Sequence, residues 1–138
     1  MDNINKTAYN DNYSAFLNEY KSKSESKKIW INDKLSFVDK IIVSIQNEAD
    51  EPLKTELNSP RQIIANTDID LSQKVIFSIK QLNEIFAKQQ VSADLLAKMS
   101  AFKRIINVYI DIAKYTSDEA IARETINLGN TIESQLAK

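Results

Sequence analysis

Residues 93–115 read ADLLAKMSAFKRIINVYIDIAKY and carry the strongest helical pattern of the chain. Six apolar side chains recur there at steps of four and three residues, which places them on one face of an α-helix. They are Leu95, Met99, Phe102, Ile106, Tyr109 and Ala113. Further apolar residues on both sides, among them Ile105, Ile110 and Ile112, leave only a narrow polar strip. A helix that is apolar over more than half of its circumference lies at the centre of a fold or in an oligomer interface.

Three more segments show this spacing and predict long helices at residues 29–49, 70–90 and 117–137. The last of them turns four apolar residues toward the core, namely Ile121, Leu128, Ile132 and Leu136. The connections near residues 91 and 116 are short, and short connections make consecutive helices antiparallel neighbours. The sequence therefore predicts an all-α fold, an up-down antiparallel bundle of four long helices.

An amphipathic helix is predicted ahead of this bundle, at residues 8–24. Four aromatic residues share one of its faces at steps of four and three, and they are Tyr9, Tyr13, Phe16 and Tyr20. Residues 21–28 are wholly polar and contain four lysines, which favours a frayed helix end or a linker. We therefore divide the chain into an N-terminal helix with its polar linker, residues 1–28, and a helical bundle, residues 29–138, within a single domain overall.

Residues 51–66 contain both prolines, and only short helical turns are predicted there. Residues 59–62, SPRQ, have the pattern of a capping box with proline at the first helical position. Residues 116–119, TSDE, form a second capping box before the last helix. The single glycine, Gly129, costs about 1 kcal/mol in the middle of that helix relative to alanine. It indicates either a close approach of another helix or an exposed position.

The composition excludes the familiar catalytic and cofactor-binding motifs. The 138 residues include no His, no Cys and one Gly. Nucleophile–base pairs that use His or Cys are therefore absent, as are glycine-rich phosphate-binding loops. We expect neither an enzyme nor a cofactor. Four acidic residues near Pro52 (Glu48, Asp50, Glu51 and Glu56) offer oxygen ligands for a hard cation but lack the spacing of an EF-hand, so we interpret them as a solvated connection and expect no metal.

Charge and hydropathy argue against nucleic acid and membrane partners. The formal net charge is −1, and only three of the 18 basic residues are Arg, the preferred residue for phosphate and base contacts. We interpret the four lysines of residues 21–28 as solvated. The longest aliphatic run, residues 41–43, is far shorter than the roughly 20 residues of a membrane span. No apolar signal segment follows Met1, so we expect a cytoplasmic protein, with export by a signal-independent route as the alternative. The abundance of Lys, Asn and Ile is typical of an AT-rich genome and favours a bacterium or its phage.

Aromatic residues offer the remaining candidate binding surface, because Tyr and Trp are enriched at protein interfaces. The candidates are Tyr9, Tyr13, Phe16, Tyr20, Trp30, Phe37 and Phe77. The alternative is that these side chains pack within the chain's own bundle. We expect a non-catalytic protein-binding module of the inhibitor, immunity or chaperone type, whose partner is another protein or a second copy. A structural self-assembling protein is the alternative, and a carrier of a small apolar ligand is less favoured.

Overall fold

The computed structural model describes the backbone of residues 2–89 and 93–137. Side chains are described for residues 25–89 and 98–137, and for Ala15 and Asn18. The described residues form six α-helices and no strand. The helices are α1 (Asp2–Glu48), α2 (Leu53–Glu56), α3 (Asn58–Ala65), α4 (Leu71–Ala87), α5 (Ala93–Thr116) and α6 (Glu119–Leu136). The all-α prediction is confirmed, and the predicted helices 70–90, 93–115 and 117–137 correspond to α4, α5 and α6.

The N-terminal part differs from the prediction, because α1 is one continuous helix where two were expected. It includes residues 8–24, the polar residues 21–28 and residues 29–48 without a break. The range contains no Gly or Pro, and Lys, Glu and Ser cost only a few tenths of a kcal/mol each in a helix. Polar character alone therefore does not end this helix. By its contacts the chain divides into two compact units, Met1–Asp33 and Lys34–Lys138.

In the second unit, α4 and α6 run side by side in the same direction. Near their first turns, Ser72 Oγ donates a hydrogen bond to Asp118 Oδ2 at 3.0 Å. At their other ends, Gln135 Nε2 donates to the carbonyl oxygen of Phe86 at 2.7 Å. Helix α5 runs in the opposite direction. Phe102, in its first half, contacts Phe86 near the end of α4, and the two ring centroids are 4.2 Å apart. Helices α4, α5 and α6 therefore form a three-helix core.

The remaining helices of this unit cover the core. Helix α3 packs on α4, and Ser59 Oγ donates to Gln81 Oε1 at 2.9 Å. Residues 34–48 of α1 bury Leu35, Val38, Ile41, Ile42 and Ile45. Burial of a side chain of this size contributes about 1.5–3 kcal/mol. Arg61 of α3 holds α1 through a 2.9 Å ion pair from its Nε to Asp39 Oδ1.

The two predicted capping boxes are wrong in detail. Helix α3 begins at Asn58, so Ser59 lies inside the helix and its hydroxyl bonds to Gln81 instead of a helix N–H. The preceding Leu57 already has helical angles, which lets the chain enter α3 without a side-chain cap.

At the second box, Thr116 is the last residue of α5, and its Oγ1 donates to the Ile112 carbonyl at 2.9 Å. Ser117 makes the turn with a φ of 54°. Asp118 is the N-cap of α6, and its Oδ1 accepts from the amides of Ala120 and Ile121. The cap therefore lies two residues beyond the predicted one, because the left-handed residue between the helices leaves Asp118 in an extended conformation.

Candidate functional site

An open apolar groove with a volume of about 460 Å³ lies between α5 and α6. Ile106 and Ile110 contribute from α5, and Ile126 and Leu136 contribute from α6. Ile126 is 62% exposed and Leu136 is 37% exposed, so the groove presents aliphatic side chains to solvent. Aliphatic side chains that share one groove, rather than being scattered singly, mark a candidate interaction site.

The groove exists because α6 carries two stripes of residues instead of one. The inner stripe is buried in the core and comprises Ile121, Thr125, Leu128, Ile132 and Gln135. The outer stripe repeats at steps of three and four residues and comprises Glu119, Ala122, Ile126, Gly129, Glu133 and Leu136. Residues three and four apart are neighbours on a helix surface, so the outer stripe is one continuous face. This spacing is the one by which helices pack against each other.

Gly129 makes a gap in the outer stripe. A Cβ atom added at Gly129 would meet nothing within 4 Å, so no neighbouring helix in the described part of the chain requires a glycine there. Of the two interpretations left open by the sequence, the described residues show no close approach of another helix, and Gly129 itself is half-buried. The gap is a shallow hole beside Ile126 that a side chain from another molecule can enter.

Charged residues accompany this apolar face. Lys103 on α5 and Glu133 on α6 line the groove, and both are exposed. Arg123 lies on the outer side of α6, also exposed. Glu119 lies four residues before Arg123, but the two form no ion pair. Within the described part of the chain, Glu133 forms no ion pair either. These charges are therefore available to a partner.

The aromatic stripe predicted for partner binding belongs to the first unit. The side chains of Tyr9, Tyr13, Phe16 and Tyr20 lie outside the described residues. Their positions all fall within α1. The hypothesis that they form a docking face stays a prediction from the sequence.

The side chains of the other three aromatic candidates are described, one in the first unit and two in the second. Trp30 is half-buried in the first unit. In the second unit, Phe37 on α1 is 44% exposed and the Arg104 guanidinium lies 5.8 Å from its ring centroid, a cation–π contact that occupies one face of the ring. Phe77 on α4 is 42% exposed, and no ring contact joins it to Phe37. Their role in binding a partner stays a prediction from the sequence.

The sequence predictions missed the groove residues. Leu136 was expected to point inward, but it lies on the groove side, because residue 135 takes the inward position at the end of α6. Ile126 falls outside the predicted inner stripe and carried no interpretation. The signal that could have identified it was the second repeat of three- and four-residue steps between residues 119 and 136.

The groups that could support chemistry are placed as follows. Among the residues described, no group of three or more acidic side chains could hold a metal ion. In the acidic connection, Glu51 accepts hydrogen bonds from the amide and hydroxyl of Thr55. The hydroxyl of Tyr109 lies in the core, where burial raises the pKa of its phenol above the ordinary range and the hydrogen bond with Ser78 opposes that shift.

None of the helices in the described ranges combines the length and apolar character that a membrane crossing requires. The chain matches no family model, no curated protein and no solved structure. Inference about function therefore rests on the geometry of the groove.

Proposed function

We propose that this chain is a non-catalytic helical module that binds a protein through the groove between α5 and α6. The observation that carries the proposal is the exposure of Ile126 and Leu136 in a groove that also contains Ile106 and Ile110. A partner that covers these side chains gains a hydrophobic free energy of about 25 cal/mol for each Å² of apolar surface removed from water.

The shape of the groove favours a helix as the bound element. Two packed helices leave a furrow between them, and an amphipathic helix fits such a furrow with residues at steps of three and four. The distance along α6 from Ile126 to Leu136 corresponds to about 15 Å at 1.5 Å per residue. That length matches about three turns of a bound helix.

The groove favours a protein segment over a small ligand. Its volume of about 460 Å³ falls in the range of small-molecule sites. However, such sites cover most of the ligand surface, and a groove with a 62% exposed isoleucine on its wall leaves one side open. A protein partner covers the open side with its own residues.

The proposal extends to the inhibitor, immunity and chaperone types of binding. Each of these roles works by covering a surface of a partner and needs no reaction. The absence of His, Cys and glycine-rich loops from the sequence is consistent with a role of this kind.

Photo-crosslinking inside the cell tests the proposal. A photoreactive amino acid replaces Ile126 in the groove, and in a matched control it replaces Gln73, an exposed residue on α4. We expect discrete protein adducts from the position of Ile126 and none of the same mass from that of Gln73. If the groove position gives no protein adduct, or only those of the control, the groove is not the binding surface.

A further inference from the structure

We propose that the groove binds a second copy of this chain, with the two α6 helices antiparallel about a two-fold axis beside Leu128. The inference rests on the proposed function, because it names the partner of the same groove. A two-fold interface is self-complementary, so each residue of the patch must meet its counterpart across the axis. The outer stripe of α6 can therefore be checked for pairs that share one centre.

The first such pair is Ile126 and Gly129. They are neighbours on the outer stripe, and the midpoint between them lies halfway between Asn127 and Leu128. In the two-fold arrangement, Ile126 of each copy faces Gly129 of the other. Ile126 is 62% exposed, and nothing lies within 4 Å of a Cβ added at Gly129. The protruding side chain and the hole thus occur once on each copy, and the axis places the one opposite the other.

The second pair is Arg123 and Glu133. Each is five residues from Leu128 along α6, on opposite sides of it, so a two-fold axis at Leu128 brings Arg123 of one copy level with Glu133 of the other. Arg123 of one copy then lies beside Glu133 of the other, and the contact occurs twice. Both residues are exposed, and neither forms an ion pair within the described residues. The charges are therefore complementary across the axis.

A third contact follows at the ends of the interface. The axis brings Glu119 of one copy close to Leu136 of the other, because the two lie nine and eight residues from Leu128. Leu136 lines the same groove as Lys103 of α5. Glu119 of the second copy is therefore near an exposed lysine, which adds a further pair of opposite charges.

These pairs favour a second copy over an unrelated helix. A different partner needs only apolar residues opposite Ile126 and Leu136, and it places no condition on Arg123 or Gly129. The centres of the apolar pair and of the charged pair lie within half a residue of each other along α6, as a two-fold dimer requires.

Light scattering and sedimentation of the full chain test the inference by charge reversal. We expect the natural sequence to form a dimer. Arg123→Glu and Glu133→Arg each place like charges together and should weaken dimerisation on the order of tenfold. The double variant Arg123→Glu/Glu133→Arg restores opposite charges across the axis and should regain the dimer. Lys80→Glu, at an exposed position on α4, is the control and should dimerise like the natural chain.

Two outcomes would overturn the inference. One is a natural chain that is monomeric at every concentration. The other is a double variant that dimerises no better than the two single variants, with helix content unchanged by circular dichroism. A monomer whose groove still crosslinks to a different protein in the cell removes the second copy but leaves the proposed function standing. A monomer without any groove adduct removes both.

Discussion

The hydroxyl groups of Ser78 and Tyr109 are hydrogen-bonded at 2.8 Å in the buried core between α4 and α5. Ser78 Oγ also donates to the Val75 carbonyl at 2.8 Å. A serine hydroxyl has one proton, so Ser78 must accept from Tyr109 in this arrangement. Tyr109 therefore depends on Ser78 for its acceptor, whereas Ser78 keeps a partner without Tyr109.

This asymmetry predicts that Ser78→Ala destabilises the fold more than Tyr109→Phe. The first change leaves the buried Tyr109 hydroxyl without an acceptor, at a cost of about 1–3 kcal/mol. The second removes that hydroxyl and leaves Ser78 bonded to Val75, at a cost of about 1 kcal/mol. Chemical denaturation gives both free energies of unfolding, and Ser78→Ala should cost less in the Tyr109→Phe background. A larger loss for Tyr109→Phe would show that the donor direction is reversed.

Tyr109 also predicts a loss of stability in alkaline solution. Burial raises the pKa of Tyr109 in the folded chain, so the folded state keeps its phenol proton while the unfolded state loses it near the ordinary pKa of 10.0. The contribution of Tyr109 to the free energy of unfolding is thus complete below about pH 10 and decreases as the pH rises beyond it. Tyr109→Phe should show a shallower decline of the unfolding free energy between about pH 9 and 11. Parallel declines in the two proteins would contradict this account.

The sequence predicted the core of the fold well because the core depends on local spacing. Tyr109 and Phe102, placed on the inner stripe of residues 93–115, are fully or almost fully buried. The parallel direction of α4 and α6 follows from the predicted up-down order, but their direct packing could not be predicted, because it rests on contacts such as that of Ser72 with Asp118, which are 46 positions apart. The continuity of α1 was missed because a polar segment was treated as a break.

The groove was harder to predict than the core for a physical reason. Apolar residues at helical spacing are first assigned to the core, and this assignment was applied to Leu136 and to Ile106 alike. A second stripe becomes recognisable only when the inner face is known, because the exposed Ile126 looks like a single surface residue in the sequence. The direction in which Gly129 faces likewise depends on packing.

Asp118 predicts a stability effect at the start of α6. Its Oδ1 accepts from the amides of Ala120 and Ile121, so Asp118→Ala should destabilise the fold by about 1 kcal/mol through loss of the N-cap. Asp118→Asn keeps a side-chain acceptor and should cost less. Thermal or chemical denaturation at neutral pH compares the two. An equal loss in both variants would show that the charge, and not the cap, supplies the stability.

Asp118 also predicts a dependence on acid. The amide of Ile121, together with the Ser72 hydroxyl and the amide of Ala120, holds the pKa of its carboxyl below the ordinary value of 3.8, against the opposing effect of burial. Its contribution is therefore present above about pH 4 and is lost as the pH falls through the lower folded-state pKa. Asp118→Asn should lose less unfolding free energy than the natural chain between pH 5 and 2. A steeper loss in the variant would reverse the sign that we assign.

Gly129 predicts a gain in stability for the single chain. Gly129→Ala adds a Cβ that meets nothing within 4 Å, and alanine is favoured over glycine inside a helix by up to about 1 kcal/mol. Denaturation at protein concentrations too low for association should therefore show a more stable chain. The matched control is Ala122→Gly, one heptad earlier on the same stripe, which should lose a similar amount. A destabilised Gly129→Ala chain would mean that the position is crowded.

The most direct test of the central claim is whether protein covers the groove in the living cell. The chain contains no cysteine, so a thiol reagent reports only on an introduced one. Ile126→Cys lies in the groove, and Gln73→Cys on α4 is the exposed control. We predict that the two react at similar rates in dilute purified protein, and that in the cell the groove position reacts several-fold more slowly. Equal rates at both positions in the cell would contradict a groove that binds protein.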